Sequence, residues 1–131
     1  MMMQGKRPGS ILVEFALVLP LFLVLVLGII ETASLFQQFQ VVQYAAREGA
    51  RLSAIGESSA TVTSTVTGIL ATRSFAGTPT IVVSEIPGAT YVESRVSVSV
   101  QLQTITPLGN FVPAFAGSFL PTAVATFRKE G

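Results

Sequence analysis

The chain has 131 residues, 50% of them hydrophobic and 11% charged, with a formal net charge of +1. One ordinary domain fits that length, and a mean hydropathy of +0.65 with so little charge points to a membrane. His, Cys, Trp and Asp are absent, which excludes His-based acid–base catalysis, Ser–His and Cys–His nucleophile pairs, thiolate metal sites and a disulfide framework.

The seven acids are all Glu and are scattered, so no catalytic constellation forms and neither a metal nor a cofactor is implied. Basic pairs occur at Lys6-Arg7 and Arg128-Lys129, at opposite ends of the chain. That arrangement lacks the clustered cationic face of a nucleic-acid binder, so no nucleic-acid partner is expected.

The N-terminal segment Met1 to Gly9 carries Lys6 and Arg7 and no acid. From Ile11 to Ile30 the chain reads ILVEFALVLPLFLVLVLGII, with Glu14 as its one polar member. At a rise of ~1.5 Å per residue this stretch spans ~30 Å as a helix, the thickness of a bilayer core. Pro20 and Gly28 interrupt it, and membrane helices tolerate both. A secretory signal peptide would be shorter and would end in a better cut than Thr32-Ala33-Ser34. A buried core helix this apolar would need a larger protein around it. The segment is read as a transmembrane helix. Lys6 and Arg7 beside its start place the N-terminus in the cytoplasm and the C-terminal region outside.

Glu14 lies where an ionised carboxylate is costly. The stretch Gly9-Ser10-Ile11-Leu12-Val13-Glu14-Phe15 resembles the prepilin peptidase site of type IV pilins and pseudopilins. In that family a basic leader ends in glycine and the fifth mature residue is glutamate. Cutting after Gly9 makes Ser10 the first mature residue and Glu14 the fifth, whereas Gly5 would place Ser10 at that position. The new amine at Ser10 could pair with a Glu14 carboxylate of its own or a neighbouring subunit, leaving neither charge alone in hydrocarbon. The resemblance thus implies a role for Glu14 in setting the axial register of subunits. Pro8-Gly9 is expected to break helix ahead of Ser10 and expose the scissile bond.

A second patch narrows the resemblance. The run from Val13 to Glu31, followed by Val42 and Tyr44-Ala45-Ala46-Arg47-Glu48-Gly49-Ala50-Arg51, is similar to the TadE-like minor pseudopilins of the tight-adherence (Flp) pilus. Members show a Glu-Phe-Ala-Leu start, a proline in the span, a glutamate ending it and an A-R-E-G-A-R segment. The ending Thr122-Ala123-Val124-Ala125-Thr126-Phe127-Arg128 is similar to their closing strand. The resemblance is strong from Gly9 to Leu52 and weak between Ser53 and Leu120.

Beyond Glu31, Leu35, Phe39, Val42 and Ala46 recur at helical spacing among Gln37, Gln38, Gln40 and Gln43, so the helix is expected to continue and end near Ser53 to Gly56. Glu48 and Arg51, three apart, are positioned to pair. Ala45, Ala46, Gly49 and Ala50 make a small-residue face. It packs on the protein's own sheet or admits a partner, and the first is preferred. Ser58-Ser59 caps a second helix whose Val62, Val66, Ile69 and Leu70 form one stripe, with strand as the alternative because of its Thr content.

From Thr80 the period becomes two. Ile81-Val82-Val83 reads as a short strand and Pro87-Gly88 as a turn. Residues 95–105 alternate strictly, with Val96, Val98, Val100 and Leu102 on one face and Ser97, Ser99, Gln101 and Gln103 on the other. Pro107-Leu108-Gly109 closes that strand. Phe111, Phe115 and Phe119, four apart, suggest a helical turn or two against the core or the membrane, with partner contact as the alternative. Ala123 to Phe127 gives a last strand.

The expected fold is α+β and pilin-like in outline: a long N-terminal transmembrane helix continuing into an amphipathic helix, a short second helix, and a small antiparallel sheet. Its divisions are a leader at 1–9, the span at 10–31, a projecting helix at 32–56 and an exported α+β domain at 57–131. By resemblance the chain is a minor pseudopilin and not an enzyme, cut after Gly9 and taking part in assembly. Its implied partners are a prepilin peptidase, other pilins or pseudopilins, an inner-membrane assembly platform and the lipid bilayer. The alternative is an unprocessed single-pass membrane protein with an external binding domain.

Overall fold

The computed structural model describes residues 8–107 and 121–129. The expectations for Met1 to Arg7, for the turn beyond Pro107 and for Phe111, Phe115 and Phe119 lie outside the described residues. Two helices are followed by three strands: α1 (Pro8–Ala54), α2 (Ser59–Leu70), β1 (Thr80–Pro87), β2 (Val92–Ser99) and β3 (Thr122–Arg128). The architecture is α+β, with a long apolar N-terminal helix and a small antiparallel sheet, as the sequence implied.

α1 is one continuous 47-residue helix with Pro20 inside it. The expected break ahead of Ser10 does not occur. The described part of α1 already includes Pro8, Gly9 and Ser10, and proline's fixed φ is itself a helical value. The segment apolar enough to span a bilayer is not buried at all within the chain, with Leu17 74% and Leu21 71% exposed. The second half of α1 is the opposite. Val42, Ala45, Ala46 and Ala50 are buried in the main hydrophobic cluster with Val62, Val66 and Leu70 of α2 and Val96 and Val98 of β2.

α2 starts where its cap predicts. The Ser58 hydroxyl accepts from the Thr61 N–H at 3.2 Å, satisfying one of the orphan donors of the first turn. Val62, Val66 and Leu70 point inward, one helical turn apart. α1 ends at Ala54 and is closed off by Gly56, whose φ of +93° suits glycine, and the Glu57 N–H bonds back to the Leu52 carbonyl at 3.1 Å.

The sheet order is β1-β2-β3 with antiparallel neighbours. Val98 lies between Ile81 and Ala123, and Val96 between Val83 and Ala125. These rows face the helices. Glu93, Arg95, Ser97 and Ser99 alternate onto the other face. β1 is longer than expected and includes Pro87; the turn follows it, closed by the Gly88 N–H to the Tyr91 carbonyl at 2.9 Å.

The strand read over residues 95–105 starts and stops earlier, at Val92 and Ser99. Both of its neighbours run out there, since Thr80 and Thr122 each pair with Ser99. The alternation nevertheless persists: Val100 and Leu102 are buried in line with Val96 and Val98. Residues 100–106 form an extended strap along α1 whose backbone groups find partners outside the sheet. The Gln101 carbonyl accepts from the Ala76 N–H at 2.9 Å, and the Val100 N–H reaches the Pro121 carbonyl at 3.4 Å.

Candidate functional site

The residues singled out by sequence fall at two ends of α1. Gly9, Ser10, Glu14 and Phe15 lie in its first two turns, all exposed. Ser10 and Glu14 are one turn apart and share a helix face. Glu14 has no hydrogen bond or ion pair among the described residues, and a side chain placed at Gly9 would meet nothing within 4 Å. The apolar residues described at this end are exposed: Ile11, Leu12, Val13, Phe15, Leu17 and Val18 are all at least 55% exposed.

Ala46, Gly49 and Ala50 lie ~50 Å further along the helix by its rise, inside the folded domain. Ala46 and Ala50 are 1% and 0% exposed. A Cβ at Gly49 would sit 2.7 Å from Val66 Cγ2 and 3.2 Å from Val96 Cγ1. The small side chains let α2 and β2 approach α1, so the chain's own elements fill this face. On the opposite side Glu48 and Arg51 form an ion pair at 2.6 Å. The Arg51 guanidinium holds the Glu48 carboxyl below the usual glutamate range, chiefly through that hydrogen bond.

The structure adds a site that the helical pattern did not reveal. Glu31, which ends the apolar run, is 1% exposed. Its carboxylate accepts from the Ile105 N–H at 3.0 Å and the Thr106 N–H at 2.8 Å, and from the Thr106 hydroxyl at 2.5 Å. Two turns on, Gln38 is 5% exposed, polar though it is. Its amide accepts from the Gln103 N–H at 2.9 Å and donates to the Gln103 carbonyl at 2.7 Å, as a neighbouring strand would. Further up, the Ser53 hydroxyl meets the Ser94 hydroxyl at 3.0 Å in a buried contact. Glu31, Gln38 and Ser53 project from the side of α1 that packs on its own domain. They fasten the strap and β2 to the helix from the membrane end upward. The signal in the sequence was the heptad interval from Glu31 to Gln38, which keeps both on the face of Val42.

Two open grooves flank this seam. One, of about 470 Å³, runs between Phe39, Gln43 and Arg47 of α1 and the length of β3. The other, of about 440 Å³, lies between α1, the strap and the residues that follow α2. Among the described residues no group of three or more His, Cys, Asp or Glu is placed to hold a metal ion.

One long apolar helix, exposed through its first half and packed only through its second, fits a single-pass membrane anchor. Comparison with curated proteins and with solved structures gives no match. Residues 9–51 do match the family model described as TadE-like protein, which covers the glycine–glutamate site, the span and the A-R-E-G-A-R segment. Over residues 9–51 this helix is therefore similar to TadE-like proteins.

Proposed function

We propose that the protein is a minor pseudopilin whose work is assembly rather than catalysis. It is made as a membrane-anchored precursor with a leader at 1–9 and cut by a prepilin peptidase after Gly9. It is then held in the inner membrane, or taken into a Flp/Tad-type pilus, by residues 10–31. Residues 32–56 and 57–131 form the part outside the membrane, which meets other pilins or pseudopilins, while the N-terminal side meets the assembly platform. Glu14 acts with the Ser10 amine of its own or a neighbouring subunit as an electrostatic register.

The observation that carries this reading is the free N-terminal half of α1. A helix of that hydropathy with none of the described residues packed on it needs lipid or other helices as its surroundings, and Glu14 stands on it without a partner among the described residues. An ionised carboxylate in such a place is stabilised when a cation reaches it. Peptidase cleavage creates that cation one helical turn away.

Intact mass and N-terminal sequencing of the membrane-extracted protein test the reading, with and without a prepilin peptidase. A chain beginning at Ser10 only when the peptidase is present, and retained whole in Gly9→Leu, is the expected outcome. A chain that keeps Met1 to Gly9 beside an active cognate peptidase would favour the plain membrane anchor with an external binding domain.

A further inference from the structure

The groove between α1, the strap and the end of α2 has no part in the reading above. Its walls are Ser34 and Gln38 of α1, Thr72, Arg73 and Ser74 after α2, and Gln103 and Ile105 of the strap. Ile105 is the one apolar member, and no carboxylate lines the groove. The nearest acid along α1, Glu31, is already occupied by the Ile105 and Thr106 donors.

Arg73 is exposed and forms no ion pair among the described residues, whose ion pairs engage Arg51 and Lys129 instead. The hydroxyls differ in what they have left to offer. Thr72 spends its proton on the Ile69 carbonyl at 2.7 Å. The Ser34 oxygen accepts from Gln38 Nε2 at 3.4 Å, so its proton is free. Ser74 makes no hydrogen bond among the described residues. A guanidinium and two hydroxyl protons therefore converge on one groove with no anion in it.

Height along α1 says which anion would reach it. The apolar run ends at Ile30. With a rise of ~1.5 Å per residue, Ser34 stands ~6 Å beyond that point and Gln38 ~12 Å. The polar layer on each side of the ~30 Å hydrocarbon core is ~5–7 Å deep, so the lower lip of the groove lies level with the lipid phosphates.

We propose that this groove binds the phosphate of a phospholipid headgroup, with Arg73 as the charged contact and Ser34 and Ser74 as hydroxyl donors. A guanidinium matches phosphate oxygens in a planar fork. The contact fixes the rotation of the domain about α1 against the membrane surface, beyond what the span alone does. The inference needs the membrane anchor only and stands whether or not the chain is cut after Gly9.

The test uses the full-length protein in detergent, with phosphatidylglycerol added as the probe and lipid retention read by native mass spectrometry. The wild-type chain is expected to retain one lipid that Arg73→Ala holds about tenfold more weakly, the loss expected for one charge-assisted contact. Arg128→Ala, which changes a cation stacked on Tyr91 outside the groove, is expected to leave retention unchanged. Ser74→Ala should weaken it less than Arg73→Ala does. Circular dichroism of each variant confirms that the fold is intact. Equal retention by Arg73→Ala and wild type overturns the proposal. So does equal retention of diacylglycerol, which lacks the phosphate, or complete displacement of the lipid by excess inorganic phosphate, which would make the site one for a soluble anion.

Discussion

Replacing Glu31 with alanine tests how the strap at residues 100–106 is fastened to α1. The substitution removes one carboxylate that accepts three hydrogen bonds, from the Ile105 N–H, the Thr106 N–H and the Thr106 hydroxyl. Hydrogen bonds to a charged group contribute about 1.5–3 kcal/mol each. Three on one carboxylate are not additive, and removing one partner of a buried charged contact costs about 3–5 kcal/mol. Ile105 is itself 60% exposed, so water can reach the freed amides once the strap lifts, which lowers the cost. A loss of about 2–4 kcal/mol in the local opening energy of the strap follows. That corresponds to roughly 30- to 700-fold faster exchange of those two amides. Native-state hydrogen exchange on the full chain in detergent reads this directly. The Lys129 amide, bonded to the Val92 carbonyl at the far end of the sheet, serves as the internal reference and should not change. Glu31→Gln should fall between, since its amide keeps one acceptor but turns donors toward donors. Unchanged exchange at Ile105 and Thr106 in Glu31→Ala would refute the reasoning and leave the strap held by Gln38 and by its buried Val100 and Leu102.

Gly49→Ala should destabilise the domain by about 1–3 kcal/mol despite alanine's better helix propensity, because the added methyl meets Val66 Cγ2 at 2.7 Å. Combined with Val66→Ala it should cost less than the sum of the two single changes, and strict additivity in a thermal-unfolding cycle would show that the contact is not what requires glycine. The Glu48–Arg51 pair should contribute little at neutral pH and nothing in acid. The guanidinium lowers the folded-state pKa of Glu48, so its small contribution is present above the unfolded glutamate value and is lost as pH falls through the lowered folded one. Glu48→Gln should therefore flatten the acid limb of a Tm-versus-pH profile below about pH 4.5 and leave Tm at neutral pH nearly unchanged, as expected for an exposed pair.

Much of the domain was legible because its elements are patterned at one period each. Leu35, Val42 and Ala46 recur as a helix face, Val62 and Val66 repeat one turn apart behind a serine cap, and Val96, Val98, Val100 and Leu102 alternate without a fault. What the pattern could not give is the identity of partners across the chain. Alternation reports that Val100 and Leu102 face a core, but not that the neighbouring strands end at Ser99 and that a glutamine side chain takes over the pairing. Glu31 reads only as the end of the apolar run and Gln38 only as one of several glutamines, because their partners lie 65 to 75 residues away. No local rule joins them. At the N-terminal end the reverse holds. The spacing from Gly9 to Glu14 carries its meaning in sequence, and the structure adds only that both stand on an open helix.

The absence of any joint between span and domain has a mechanical consequence. From Ile30 to Ala54 the helix continues for ~36 Å and is welded to the sheet along that length. With the apolar half of α1 placed in a bilayer, the molecule is a stiff lever whose fulcrum is the bilayer surface. A tilt of ~20°, common for membrane helices, carries the outer end of the domain ~12 Å sideways. Bilayer thickness and lateral pressure on the span thus set where the outer surface points, and a pull on the domain is delivered to the lipid end of the same rod.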